Sequence, residues 1–224
     1  MTNIATASPE DVKWLATHRC KHGHAFTSHF NCYLKEHQVE ERIGALDIEA
    51  GGLKANVDIM LSWAIKTVGQ DEIWYDYVTS EELRNGDYDK RIVESCIQTM
   101  LKYDRLVGHY STYFDIPYIR SRALVHRIPF PEYGRLYHSD VWKMARRCLC
   151  LSSNRQDTVA ETILDENIKT RVNFRYWLDA KYGSDKARKK ALQYIVDHNL
   201  KDVQQLEDNY LKLRPFVREN RSSI

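Results

Sequence analysis

Ile43-Gly44-Ala45-Leu46-Asp47-Ile48-Glu49-Ala50-Gly51-Gly52-Leu53 is the stretch on which the fold of this chain turns. An apolar run with strand character delivers two carboxylates one residue apart, and a glycine pair follows. Residues two apart on a strand share a face, so Asp47 and Glu49 are expected side by side at the end of a buried strand. Two like charges so placed repel unless a cation lies between them. Hard carboxylate oxygens suit Mg²⁺ or Mn²⁺. The alternative is a strand that simply ends in acidic surface residues, and partners elsewhere in the chain decide between the two.

Downstream, residues 57–68 are β-rich, and Gly69-Gln70-Asp71 reads as a turn into a further strand over 72–79. Three strands on short links predict an antiparallel meander. Residues 87–103 place Ile92, Val93, Cys96, Ile97, Met100 and Leu101 at helical spacing. Leu106-Val107-Gly108 follows as a fourth strand, parallel to the first if the helix crosses over right-handed. Asp115 stands where the next helix begins, with Pro117 in its first turn. By itself it reads as an N-cap. After the break at Ile128-Pro-Phe-Pro131, Asp140 caps a short basic helix to Arg147, with support of a metal site as its other reading. Helical signals recur over 157–164 and 174–182. A last long helix spans about 185–213 and is stopped by Pro215. His198 and Asp202 lie four apart on it and share a face, as an ion pair or as part of a site.

Carboxylates at a strand end (Asp47, Glu49), at a helix start (Asp115) and within a late helix beside a histidine (His198, Asp202) are what two-metal phosphodiester hydrolysis needs. With these residues in view, the chain resembles the DEDD superfamily of 3′-5′ exonucleases on the ribonuclease H-like fold. Asp47-Ile-Glu49-Ala-Gly-Gly-Leu53 resembles the first motif of that family. Gly108-His-Tyr110-Ser-Thr-Tyr113-Phe114-Asp115-Ile-Pro117-Tyr118 resembles the second, in the form found in proofreading domains of family B DNA polymerases and related stand-alone nucleases. Gln156-Asp157-Thr158-Val159-Ala160 resembles the helix that precedes the third motif, and His198-Asn-Leu-Lys-Asp202-Val203 occupies the third. Tyr110 stands where such second motifs carry Asn, and His198 stands at the spacing of the subgroup that carries Tyr.

The resemblance implies an α/β fold, a ribonuclease H-like mixed β-sheet flanked by helices. It implies two Mg²⁺ or Mn²⁺ ions on Asp47, Glu49, Asp115 and Asp202, and His198 orienting or deprotonating water. It further implies Leu53, Tyr110, Tyr113 and Phe114 near a terminal nucleotide, with a core role as the other reading of Phe114. The implied activity is 3′-5′ exonuclease action on single-stranded DNA or RNA ends, DNA before RNA. A structure-specific endonuclease and a catalytically silent module recruiting a replication or repair protein are the alternatives.

Residues 1–41 differ from the domain expected over 42–224. Ser8-Pro9-Glu10-Asp11 opens a helix through Thr17. Between His18 and Cys32 lie two cysteines and four histidines, donors that suit tetrahedral Zn²⁺. A zinc site of Cys20, His24, His29 and Cys32, with His22 as the substitute ligand, competes with a plain His-rich loop over this small extension. The five cysteines are an odd number, which favours free thiols or metal ligation over disulfides. With Lys+Arg 33 against Asp+Glu 31, bulk charge neither demands nor forbids a nucleic acid. Arg120, Arg122, Lys143, Arg146, Arg147 and the run 186–190 are candidates to track phosphates. No apolar run is long enough for a membrane span and the start lacks signal-peptide order, so no membrane partner and a cytoplasmic location are expected.

Overall fold

A computed structural model of the chain describes residues 7–164, 172–218 and 223–224. A mixed five-stranded sheet in the order β3-β2-β1-β4-β5 is built from β1 (Ile43–Ala50), β2 (Met60–Thr67), β3 (Ile73–Tyr77), β4 (Arg105–Gly108) and β5 (Tyr137–Asp140). β1, β2 and β3 pair antiparallel as the expected meander, and β4 runs parallel to β1 with β5 parallel to β4. Helices α1 (Pro9–Thr17) and α2 (Phe30–Glu36) precede the sheet, and α3 (Ser80–Asn85) and α4 (Lys90–Met100) link β3 to β4. Helix α5 (Asp115–His126) links β4 to β5. After β5 come α6 (Val141–Cys148), α7 (Gln156–Ile163), α8 (Arg175–Tyr182) and α9 (Asp185–Leu213).

Alternation on β1 sorts the two cores. Leu46 and Ile48 enter a cluster with Ile92, Val93, Cys96 and Ile97 of α4 and Ile116 and Ile119 of α5. Ile43 and Ala45 face the other way, into Val141 and Met144 of α6, Val159 of α7 and Leu206, Tyr210 and Leu213 of α9. β1 is thus buried on both faces, as parallel sheet interiors are. Among the described residues no helix is long and apolar enough to cross a membrane.

Several boundaries differ from the sequence expectation for local reasons. β2 begins at Met60 because the amides of Val57 and Asp58 both turn back to the Lys54 carbonyl, at 3.1 and 3.0 Å. α3 and β5 are not evident from the sequence: α3 is short, and the polar stretch Tyr-His-Ser-Asp of β5 carries no apolar run, yet all four of its residues are buried beside β4. Ser8 caps α1 in a reciprocal box with Asp11, and α9 keeps its expected bounds.

Arg122 does not face outward to phosphates. It is 5% exposed, and its Nε and Nη2 donate to Asp89 at 2.7 and 2.6 Å while Nη1 reaches the Ala55 carbonyl at 2.9 Å. Asp89, fully buried, also accepts the Met60 amide at 2.8 Å and meets His126 Nε2 at 2.7 Å. The group joins the start of α4, the start of β2 and the end of α5. Removing one member of a buried charged pair strands the other and costs about 3 to 5 kcal/mol. Asp89→Ala should lower unfolding free energy in urea by that order; a loss below about 1 kcal/mol would show that the pair is not a structural anchor.

Candidate active site

The face of β1 that carries Ile43 and Ala45 changes character two residues on, where Asp47 and Glu49 project from it. Helix α9 runs antiparallel across this face: Leu206, Tyr210 and Leu213 cover the apolar start of the strand, and His198, Asn199 and Asp202 meet its acidic end. These three are 4%, 1% and 6% exposed. The register of β1 on β2 shifts between Glu49 and Ala50, where Leu61 of β2 is the extra residue.

Donor atoms of Glu49, His198 and Asp202 all lie within 4.8 Å of one another, and His198 Nδ1 stands 3.8 Å from Asp202 Oδ1. At the Tyr-type spacing, then, the imidazole still turns into the carboxylates. Trp177 of α8 packs edge-on against its ring at 6.0 Å between centroids. Asn199 Nδ2 donates to Asp47 Oδ2 at 2.7 Å, and its own Oδ1 accepts from Ser62 Oγ on β2 at 3.1 Å. Gln156 Nε2 donates to the Asp202 carbonyl at 2.9 Å, holding α7 to α9.

Asp115 is the first residue of α5, and its Oδ1 accepts the Ile48 amide at 3.2 Å. Burial pushes its carboxyl up to about 7, against the pull of two backbone amides, and the charge of Asp140 adds to the rise. Asp140 caps α6 through the Trp142 amide at 3.0 Å. It also accepts the amides of Tyr110 at 2.9 Å and Thr112 at 3.0 Å. Tyr110 has φ +63°, a left-handed conformation that a non-glycine residue enters at a cost of about 1 to 2 kcal/mol. The carboxylate offsets that cost and fixes the loop that delivers Asp115. Next to it, Ser111 Oγ lies 2.9 Å from His138 Nε2, and burial pushes the imidazole of His138 down to about 4.

A cleft of about 510 Å³ opens over the acids and is lined by Asp47, Asp202, Tyr110, Trp142, Arg155 and Asp157, among others. Tyr110, Tyr113 and Trp142 cluster at its lip, with ring centroids 5.0 to 6.2 Å apart. Lys143 lies 4.9 Å over Tyr113 and Arg146 lies 5.2 Å over Trp142. Phe114 is partly buried and packs on Tyr118 at 5.4 Å between ring centroids and on the α4–α5 core. Leu53 is 80% exposed in the loop after β1.

Gly51 and Gly52 make room for the carboxylate of Asp58, whose oxygens a Cβ at either position would strike. Lys181 of α8 pairs with that carboxylate at 2.7 Å. Of the candidate phosphate contacts, Arg120 lies 5.0 Å over Phe130, and Lys186, Lys189 and Lys190 line a separate groove of about 730 Å³ with Tyr77, Tyr176 and Tyr194. Asn199, Trp177, Gln156 and the loop-holding role of Asp140 are not evident from the sequence. Only Asn199 had a signal, lying three residues before Asp202 on the same helical face.

The model of the RNase_H superfamily matches residues 45–213. No curated protein matches the chain. Among solved structures, the family B DNA polymerase from the hyperthermophilic archaeon Pyrobaculum calidifontis is similar at TM-score 0.58 and 18% identity, over 77% of this chain and 25% of the polymerase. The chain therefore spans about a quarter of that polymerase, and at this identity the likeness is one of fold.

Asp140 is the point at which the loop is open to test. Asp140→Ala leaves three amides without their acceptor, and buried donors so abandoned cost about 1 to 3 kcal/mol. Hydrogen exchange at Tyr110 and Thr112 should quicken by at least tenfold while α4 keeps its protection. Unchanged exchange at those two amides would show that the loop holds itself.

Proposed function

The chain belongs to the RNase H superfamily, and on that premise we propose that it is a metal-dependent 3′-5′ exonuclease that hydrolyses single-stranded nucleic acid, DNA before RNA. The fold and family support nuclease activity in general. The finer reading rests on one observation: donor atoms of Glu49, His198 and Asp202 gather within 4.8 Å of one another, while Asn199 ties Asp47 to the same helix and Asp115 accepts the Ile48 amide between the two β1 acids.

The donor set fits hard divalent ions. Glu49, His198 and Asp202 bring ligand atoms within 4.8 Å of one another, and oxygen-rich sites of this kind suit Mg²⁺ or Mn²⁺. Asp47, Glu49, Asp115 and Asp202 would hold two such ions, which supply activation of water and stabilisation of the leaving oxygen. Everything else falls to the chain itself. Asn199 holds Asp47 by a neutral amide, which orients the carboxylate. His198 takes a proton at a ring nitrogen, a task suited to imidazole near neutral pH, and Trp177 fixes the ring plane. Tyr110 and Tyr113, with Trp142 beside them, offer exposed faces on which the bases of a single strand stack. Leu53 meets the terminal base from the opposite loop.

The test uses 5′-labelled single strands of matched DNA and RNA with Mg²⁺ or Mn²⁺. The expected result is a ladder that shortens from the 3′ end, faster on DNA and lost in Asp47→Ala. His198→Ala should slow cleavage by about 10² to 10⁴, the usual contribution of a positioned proton acceptor. A single internal cut would replace the exonuclease by an endonuclease of the same fold, and a strand bound but left whole under both metals would overturn the enzymatic reading.

A further inference from the structure

Residues 15–36 form a small unit apart from the carboxylates. A bridge between Arg19 and Ala25 closes a turn in which the Cys20 amide donates to the His24 carbonyl at 2.9 Å and Gly23 N–H to the Cys20 carbonyl at 2.8 Å. Cys20 and His22 project from this turn. His29 is the N-cap residue of α2, and Cys32 lies three residues on, the spacing that puts both on one helical face.

The four side chains converge. Sγ of Cys20 stands 3.8 Å from His22 Nδ1 and 3.7 Å from His29 Nδ1, and Sγ of Cys32 stands 3.4 and 3.9 Å from the same two atoms. All four donors lie within 4.8 Å of one another. A tetrahedral ion with sulfur at about 2.3 Å and nitrogen at about 2.0 to 2.1 Å sets its sulfur–nitrogen edges near ~3.5 Å, and the four edges here bracket that length. One thiol–imidazole hydrogen bond explains one such contact, not four that close on a common centre.

We propose that Cys20, His22, His29 and Cys32 bind one structural Zn²⁺. The ligand set takes His22 and leaves out His24, whose ring packs on His29 at 4.0 Å between centroids. The sequence expectation took Cys20, His24, His29 and Cys32 with His22 as the substitute, and the geometry favours the substitute. His29 makes no side-chain capping bond to α2, so its Nδ1 is directed to the thiols and not to the helix amides. Both cysteines are free of disulfides. They bind as thiolates, each losing its proton to solvent as the metal enters.

A second observation stands behind the geometry. The apolar cluster of this unit consists of Leu15, Cys20, Phe26 and Phe30, with Cys32, Tyr33 and Leu34 partly buried around it. So small a core does not hold a unit together without a staple. Soft sulfur and imidazole donors select zinc, whereas the carboxylates of the cleft select hard ions, so the two sites sort their metals by chemistry.

Metal content of the purified full chain, expressed without a metal-binding tag, tests this independently of nuclease activity. About one zinc per chain is expected in the wild type, in His24→Ala and in Asp47→Ala, and less than about one tenth in Cys32→Ser and His22→Ala. Replacing zinc with Co²⁺ in the wild type should give the visible bands of a tetrahedral site with thiolate ligation, a measurement that stands even if a cysteine variant misfolds. A wild type without zinc and without those bands overturns the proposal. Zinc kept by His22→Ala and lost by His24→Ala overturns the ligand set. Asp47→Ala separates the two sites, since it should lose cleavage and keep zinc.

Discussion

Helix α9 and strand β1 are matched along their length, one apolar end against another and one polar end against another. A helix repeats every 3.6 residues and a strand every two, so the contact works only if both stripes change character at the same height. From His198 to Tyr210 the helix rises about 18 Å, and from Ile43 to Glu49 the strand advances about 20 Å. Over that distance Leu206 and Tyr210 bury Ile43 and Ala45, while His198, Asn199 and Asp202 stand over Asp47 and Glu49. The apolar half supplies the burial that holds the acidic half in place. The remaining elements add to this pair: α5 brings Asp115, α7 fixes the Asp202 backbone through Gln156, and α8 sets Trp177 against His198.

Concentrating carboxylates under a helix raises the energy of each, and neutral amides orient several of them. Asp47 is held by an amide and Asp115 by a backbone N–H. Asp140 spends its charge on three amides in the adjoining loop. Among the described residues, the tight pairs of Arg122 with Asp89 and of Lys181 with Asp58 lie outside the acidic group. Fixed dipoles orient an acid without placing a counter-charge on it.

The parts of this arrangement legible in the sequence are those with strong local grammar. Alternation at Asp47 and Glu49, the N-cap grammar of Ser8-Pro9, and the unbroken periodicity of α9 up to Pro215 need no tertiary information. Strand β5 was hidden because its burial comes from β4, not from its own apolarity. Arg122 read as a surface cation because nothing in the sequence couples it to Asp89, 33 positions away. The same holds for Asn199, whose task depends on Ser62 across 137 positions. His22 and His24 are separated only by which way a turn aims its side chains, and that follows from the Arg19–Ala25 bridge.

The glycine pair after β1 bears on how relatives of this chain are to be compared. Gly51 and Gly52 follow directly on the acids of β1, yet what constrains them is space and not charge. What excludes a side chain there is the Asp58 carboxylate and its bond to Lys181. In a relative where that ion pair has been replaced by smaller groups, alanine or serine becomes acceptable at both positions with the chemistry untouched. The acids and the glycines of this one stretch therefore answer to separate physical demands, one of charge and one of space.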